Sequence, residues 1–244
     1  MKNRIQFNRN ELSGSFGDIG TDFPLIAGMI LASNLDVASV FVMFGLMQIF
    51  TGIVYGLPMP MQPLKAMAVL VITQNIPSSV LFGAGFAIGL VMLILSLSGA
   101  LNWLAVKIPA CVVRGVQFGL GLSLASLALT KYVPSMGSDG YVLALIGFAV
   151  TVVLLGNRRW PPGIFVIGLG LLYAIFFKVD LNILSSGIGF RLPQIYLPGA
   201  RDILTGFVLL ALPQLPLSIS NSVIATNKTV HDLFPERKIS VKKI

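Results

Sequence analysis

The stretch Pro58-Met59-Pro60-Met61-Gln62-Pro63-Leu64-Lys65-Ala66 decides the fold, because it interrupts a sequence that is otherwise largely apolar. Its three prolines remove backbone donors and push the residues before them towards extended conformations. Pro63 suits the first position of a new helix, where a backbone N–H would be unpaired in any case. We therefore expect an extended segment that leads into a helix from Pro63 to Thr73.

The length of this expected helix is that of half a bilayer. At about 1.5 Å per residue it would span about 15 Å. The N-terminus of such a half-helix, placed in mid-membrane, carries partial positive charge and free N–H groups, and Lys65 adds a full charge in the first turn. The pattern indicates an anion site. The alternative is a re-entrant loop or a proline-kinked helix whose Lys65 side chain reaches the membrane surface.

The composition is that of an integral membrane protein. Of the 244 residues 55% are hydrophobic and 11% are charged, whereas soluble domains carry about 25% charged residues. A single cysteine and a single histidine allow no intramolecular disulfide and no zinc or iron cluster, so neither a metal nor a cofactor is expected. The basic residues fall in short loops and at both ends, which favours membrane topology over nucleic-acid binding as the reason for the net charge of +8.

The apolar runs predict an all-α membrane protein with about eight segments, some of them broken or half-length. Segment 8 should be broken at Pro213-Gln214-Leu215-Pro216. The expected organisation is a cytoplasmic N-terminus (1–11), seven segments (12–177), an extracytoplasmic connection (178–202), segment 8 (203–227) and a cytoplasmic tail (228–244).

The basic residues also predict the orientation. With a cytoplasmic N-terminus, twelve of the 17 Lys and Arg residues lie on the cytoplasmic side and four on the other, with Lys65 inside the membrane. This asymmetry favours the N-terminus-in topology. We expect the location to be the inner membrane of a prokaryote.

Segments 1 and 8 resemble each other at a fixed offset of 192 positions. Leu12-Ser13-Gly14 matches Leu204-Thr205-Gly206, and Asp22-Phe23-Pro24-Leu25 matches Gln214-Leu215-Pro216-Leu217. Because the two segments cross the membrane in opposite directions, the repeat would be inverted. Inverted repeats with interrupted helices are typical of secondary transporters, whose substrate site lies near the midplane.

Segment 1 contains two aspartates, and charged residues are rare inside membrane segments. Asp18 and Asp22 each cost about 2.5–3.5 kcal/mol near the bilayer centre. We expect them to couple transport to protons or another cation, or to pair with Lys65. Asp18 could instead lie in water at the cytoplasmic rim.

Neutral polar side chains lie beside the prolines of the interrupted segments. Such groups can donate hydrogen bonds to a bound oxyanion without the cost of a buried charge. The alternative is that they link helices, at about 0.6 kcal/mol each. Gln48, Gln117 and Arg114 lie on otherwise apolar segments and are interpreted as packing or interface residues. The candidates for substrate binding are Gln62, Gln214, Ser218 and Asn221.

Three parts of the sequence resemble the molybdate transporter family, which is related to the sulfate permeases. They run from one end of the chain to the other: Glu11 to Ile26 (ELSGSFGDIGTDFPLI), Pro58 to Ala66, and Leu212 to Leu217 with Asn221 to Ala225 and Asp232 to Pro235. The resemblance implies molybdate, sulfate or tungstate as substrate. It also implies a fold of two inverted seven-helix repeats that form a core and a gate domain.

In that family the third segment supplies a half-helix N-terminus to the site, which here corresponds to Gln62, Pro63, Leu64 and Lys65. The second repeat of the family continues past segment 8 with a Pro-Met-Cys-His-Gly motif. This sequence does not contain that motif and holds the first repeat and the start of the second.

The expected function is secondary active transport of a tetrahedral oxyanion by alternating access, coupled through Asp22. Two alternatives stay open: a non-transporting membrane subunit that needs a completing partner chain, and a nucleobase permease on the same fold. An enzyme is not expected, because the intramembrane aspartyl protease that Gly17-Asp18 resembles needs a glycine where Ser15 stands. The expected partners are the oxyanion and membrane lipid, and either a second copy of the chain or a completing partner chain.

Overall fold

The computed structural model describes residues 18–56, 61–157, 160, 162–179 and 192–233. In these ranges the regular structure is helical, as the sequence predicts. Pro58, Pro60 and the N-terminal residues up to Gly17 lie outside the described ranges. The α-helices, numbered along the chain, are α1 Ile19–Ser33, α2 Val37–Tyr55, α3 Lys65–Gln74, α4 Ser78–Ser98, α5 Ala100–Lys107, α6 Ala110–Leu127, α7 Ser138–Val153, α8 Pro162–Phe177, α9 Ala200–Gly206, α10 Leu212–Leu217 and α11 Thr226–Leu233.

The helices fall into two sets by length. Four in the described ranges are long and apolar enough to cross a membrane: Val37–Tyr55, Ser78–Ser98, Cys111–Ser135 and Ala200–Asp232. The shorter apolar helices are Ile19–Ser33, Lys65–Gln74, Ser138–Val153 and Pro162–Phe177. Together they correspond to the eight segments expected from the sequence, and the all-α membrane class is confirmed.

Contacts divide the chain into two units. Unit 1 contains Met1–Ile30, Leu35–Pro63 and Ser126–Gln194, and unit 2 contains Leu31–Asn34, Leu64–Ala125 and Ile195–Ile244. One boundary between the units lies at Pro63 and Leu64, inside the proline-rich stretch that precedes α3.

In unit 1, an aspartate lies at the start of each of the first two helices. The backbone carbonyl of Asp18 accepts a bond from the N–H of Asp22 at 2.9 Å, where α1 begins. Asp36 caps α2, and its carboxylate accepts from the N–H of Ser39 at 2.7 Å. None of the residues of α2 is buried. Its surface is apolar all round, which suits contact with lipid.

Two glycines bring α1 and α8 of unit 1 into backbone contact. A Cβ built on Gly163 would lie 2.6 Å from the Cα of Gly20, and one built on Gly20 would lie 2.8 Å from the Cα of Gly163. Only glycine at both positions allows this approach, which is the way small residues bring membrane helices together.

In unit 2, α3 has the largest share of buried residues among the described helices, six of ten. Its buried residues are Ala66, Met67, Ala68, Val69, Val71 and Ile72. The helix has ten residues, and Met61 to Leu64 before it are not helical. The predicted start at Pro63 is wrong. The first helical residue is Lys65, and Leu64 is the extended cap residue with φ −68° and ψ 96°. The later start leaves the first N–H groups of α3 free to bond a side chain from elsewhere in unit 2.

The last part of unit 2 is a helical run from Ala200 to Leu233, which we call the terminal run. It consists of α9, a π-helical stretch Phe207–Ala211, α10, a second π-helical stretch Ser218–Ala225, and α11. The predicted break at the two prolines of α10 is wrong. The helix is π-helical, and therefore wider, on both sides of α10. The wider turns move away the carbonyl groups with which the proline rings would otherwise clash. The N–H of Leu212, for example, bonds the carbonyl of Phe207, five residues back.

Helices α4 and α9 of unit 2 pack backbone against backbone. A Cβ built on Gly83 would lie 2.3 Å from the carbonyl oxygen of Asp202, and one built on Gly206 would lie 2.5 Å from the carbonyl oxygen of Val80. Beyond α4 the chain turns at Gly99, whose φ of 75° favours glycine. The apolar run from Ser78 to Lys107 therefore divides at this residue into α4 and α5.

Candidate anion site at the N-terminus of α3

The N-terminus of α3 is capped by a side chain from the terminal run. The Oε1 atom of Gln214 accepts hydrogen bonds from the backbone N–H of Ala66 at 2.8 Å and of Met67 at 3.4 Å. The cap residue Leu64 has no side-chain oxygen for this purpose. Gln214 thus supplies the acceptor that a serine or aspartate supplies at most helix starts.

The other half of the Gln214 amide is also bonded. Its Nε2 atom donates to the Oγ of Ser218 at 3.1 Å, one turn further along the terminal run. Both side chains are buried, with 4% and 5% of their surface exposed. In the described part of the chain every buried side-chain nitrogen or oxygen has a hydrogen-bond partner. This polar link is therefore fully satisfied within unit 2.

The surroundings of the link are apolar. Ala66 packs in a buried cluster with Val113 of α6 and Leu217 of α10, flanked by Ile108, Val116 and Leu120. Low-dielectric walls of this kind strengthen hydrogen bonds and helix-dipole effects. Partly buried Lys65 adds a positive charge in the same first turn. The arrangement can hold an oxygen acceptor, and negative charge on that acceptor would be stabilised.

A second polar cluster lies in unit 1. The Nε2 atom of Gln62 donates to the Oδ2 of Asp18 at 2.6 Å. The hydroxyl of Thr21 donates to the backbone carbonyl of Asp18 at 3.0 Å, so this aspartate also shapes the start of α1. The sequence predicts different roles for these two residues: ion coupling for Asp18 and substrate binding for Gln62. The structure places them in direct contact.

Gln48 is a residue whose contacts sequence reasoning missed. Interpreted as a packing residue, it bonds the backbone of Met61 twice: its Nε2 donates to the carbonyl at 3.2 Å, and its Oε1 accepts from the N–H at 2.9 Å. A signal was present in the sequence. An amide side chain on an apolar helix, shortly before a stretch rich in proline, can satisfy backbone groups that the prolines leave without helical partners.

The predicted site residues thus fall into two groups. Unit 2 brings together Leu64, Lys65, Gln214 and Ser218 around the start of α3, while unit 1 brings together Asp18 and Gln62. Asp22 lies in the first turn of α1, in unit 1. Its role in ion coupling stays a prediction. The side chain of Asn221 lies outside the described part of the structure.

Comparison with known proteins shows which family and which proteins the chain is similar to. Residues 10–124 match the family described as "Molybdate transporter of MFS superfamily". The chain is 30% identical to "Molybdate transporter 1" of Arabidopsis thaliana over 96% of its own length and 60% of that protein, and 32% identical to "Molybdate transporter 2" of the same plant over 92% and 58%. A more distant relative is "Guanine/hypoxanthine permease GhxP" of Escherichia coli O157:H7, 25% identical over 84% of the chain and 52% of that protein. No solved structure matches.

Two of these three relatives are named as transporters and one as a permease, and none of the three is named as an enzyme. The family match over residues 10–124 and both plant relatives show that the chain is similar to the molybdate transporter family, as its motifs indicated. The chain spans about three fifths of the length of the two plant relatives, since it covers 60% and 58% of them.

Proposed function

We propose that the protein is a secondary active transporter of a tetrahedral oxyanion, with molybdate as first substrate and sulfate or tungstate as further ones, working by alternating access. The observation that carries the proposal is the pair of hydrogen bonds from Ala66 and Met67 to Gln214 Oε1. The start of α3 already holds an oxygen atom in an apolar, positively polarised setting. An oxyanion offers the same kind of acceptor with added charge.

In this proposal a molybdate oxygen takes the place of Gln214 Oε1. The amide of Gln214 then turns its Nε2 donor towards the anion, and the hydroxyl of Ser218 follows. Both groups are uncharged donors, which bind an oxyanion without leaving a buried charge when the site is empty. Lys65 in the first turn of α3 adds the long-range attraction.

The remaining assignments rest on sequence pattern. We propose Asp22 and Asp18 as ion-coupling residues, and Gln62, Pro63 and Asn221 as further contributors to substrate binding. The inverted seven-helix repeat, the cytoplasmic N-terminus and the prokaryotic inner membrane belong to the same proposal, although the molybdate transporters compared above are plant proteins. So does a second copy or a completing partner chain.

Uptake of labelled molybdate tests the function. The chain in proteoliposomes should accumulate molybdate above empty vesicles, and Lys65→Ala should abolish the accumulation. Gln74→Ala, at the exposed far end of α3, should not. Uptake at the level of empty vesicles for the unmodified chain would count against transport by this chain, and full uptake by Lys65→Ala would count against the site.

A nucleobase permease is the second candidate, favoured by the similarity to the guanine/hypoxanthine permease. Gln214 presents an oxygen acceptor and an N–H donor side by side, and the lactam edge of a purine carries the same pair. Labelled hypoxanthine taken up in place of molybdate, or strong competition between them, would favour this candidate.

A further inference from the structure

The backbone of Met61 is held by one side chain from α2 of unit 1. Gln48 uses both ends of its amide on this single residue, with its Nε2 3.2 Å from the carbonyl oxygen and its Oε1 2.9 Å from the backbone nitrogen. The pairing copies the two hydrogen bonds that neighbouring strands exchange.

The sequence explains why Met61 needs such a partner. Pro60 precedes it and Pro63 follows two positions later, and neither has an N–H. Residues 61–64 are not helical, so their backbone groups lie outside the regular helical pattern, except for the Leu64 carbonyl, which accepts from the N–H of Ala68 at 2.8 Å. In an apolar environment each unpaired group costs several kcal/mol. Gln48 supplies the missing donor and the missing acceptor at once.

Gln is the side chain that fits this task. Lysine has no acceptor, and an ionised glutamate has no donor. Gln48 lies on a helix that has no buried residue and is apolar on either side of it. A polar residue exposed on such a surface is costly unless its hydrogen bonds are made.

Residue 62 follows directly, and its amide donates to Asp18 at 2.6 Å. The stretch is therefore fixed at two successive residues, by α2 and by the start of α1. We propose that Gln48 is a positioning residue. Its two hydrogen bonds hold the backbone of Met61 in place and thereby set the orientation of the Gln62 amide at Asp18. We call this contact the clamp. The consequence for the substrate rests on the proposed function, in which Gln62 contributes to oxyanion binding.

Hydrogen exchange tests the clamp without reference to transport. Three of the eight residues from Leu57 to Leu64 are prolines without an amide hydrogen, so a peptide over this range reports on few sites. Gln48→Leu should speed exchange of the Met61 amide hydrogen in this peptide by about tenfold, because this N–H loses its bond to Gln48 Oε1. Ile49→Ala shortens a neighbouring side chain that is 61% exposed, and it should leave the exchange unchanged. An exchange rate in Gln48→Leu equal to that of the unmodified protein would contradict the proposal that Gln48 holds the Met61 backbone.

A glutamate at position 48 gives a pH-dependent form of the same test. A protonated carboxyl has one donor and one acceptor and can repeat both bonds, whereas a carboxylate turns an oxygen towards the Met61 carbonyl. In Gln48→Glu, protection corrected for intrinsic exchange should approach that of the unmodified protein at low pH and fall as the carboxyl ionises. Equal protection at all pH values in this variant contradicts the proposal.

The last readout is molybdate affinity per folded molecule. It should fall by about tenfold in Gln48→Leu and stay unchanged in Ile49→Ala. Faster exchange in Gln48→Leu with unchanged affinity overturns the link from Gln48 to the substrate. If the unmodified protein binds no molybdate, the proposed function fails, and the exchange experiment still decides for or against the clamp.

Discussion

Gln214 Oε1 and the backbone nitrogen of Ala66 are 2.8 Å apart, although 148 positions separate the two residues in the sequence. This bond joins the terminal run to the start of α3 inside unit 2. It provides an acceptor for the first N–H groups of α3, whose cap residue Leu64 makes no side-chain hydrogen bond. Changing Gln214 should therefore affect both the stability of the fold and the binding of an anion, and different substitutions should separate the two effects.

Gln214→Ala removes the acceptor and leaves the N–H groups of Ala66 and Met67 buried without it. The free energy of unfolding should fall by about 1–3 kcal/mol. Thermal unfolding in detergent measures this loss, with Gln74→Ala as the exposed control on α3. A melting temperature equal to that of the unmodified chain would show that the cap is dispensable.

Gln214→Glu keeps an oxygen at the start of α3 and adds a negative charge there. A carboxylate at a helix N-terminus is favourable by up to about 2 kcal/mol in partly buried geometries, which offsets part of its desolvation cost, so the fold should persist. The same charge repels an incoming oxyanion, and molybdate uptake should be lost. Uptake and melting temperature in the same preparation give both quantities. Retained uptake would contradict the proposed place of the anion.

Gly83→Ala should separate α4 from α9, because its Cβ would lie 2.3 Å from the carbonyl oxygen of Asp202. Neither backbone can yield without loss of packing, so we expect a destabilisation of about 1–3 kcal/mol. Gly85→Ala lies on the same helix, and its Cβ would meet nothing within 4 Å. That control should be neutral, or more stable by about 0.5–1 kcal/mol. Equal melting temperatures for the two variants would contradict the close crossing.

Gly163→Ala tests the contact of α8 with α1 in unit 1. Its Cβ would lie 2.6 Å from the Cα of Gly20. Thermal unfolding should show a loss of about 1–3 kcal/mol. Gly168→Ala, on the same helix with nothing within 4 Å, is the matched control. A stable Gly163→Ala variant would mean that the two helices lie further apart than the structure places them.

Ser33→Ala removes a buried link at the end of α1. The Ser33 hydroxyl donates to the carbonyl of Ile76 at 2.7 Å, and the loss should cost about 1 kcal/mol of unfolding free energy. Ser123→Ala is the control, because its hydroxyl bonds the carbonyl of Gly119 in its own helix. A melting temperature that falls no further for Ser33→Ala than for the control would contradict the importance of this bond.

The local part of the fold could be predicted from the sequence. The proline-rich stretch and the apolar run after it indicated a half-length helix, and α3 has ten residues. Its start differs by two residues from the prediction because the acceptor for its first N–H groups, Gln214, comes from the terminal run. A cap supplied from so far away leaves no local pattern.

Two further outcomes depended on contacts and not on local pattern. Pro213 and Pro216 lack the N–H of a regular helix and predicted a break, yet the π-helical turns on either side keep the terminal run continuous. Helices α2 and α3 are both apolar on all faces. Without an amphipathic pattern, the sequence could not show that α3 is buried and that α2 is not.

The role of individual polar residues was partly predictable. Gln214 and Ser218 are two of the four neutral polar residues that the sequence predicts for substrate binding, and the structure joins them by a hydrogen bond. Gln48 was assigned to packing, because its partner is a backbone group of a non-helical stretch. Backbone acceptors and donors are present at every residue, so no residue type marks them in advance.

The most direct test of the central claim is the position of a bound heavy oxyanion. Crystals of the chain grown with tungstate, or with molybdate, should show an anomalous peak within about 4 Å of the Ala66 nitrogen, as hydrogen bonds to an oxyanion require. The Gln214 side chain should have moved off the start of α3. An anomalous peak elsewhere, with Gln214 Oε1 still bonded to Ala66, would contradict the account.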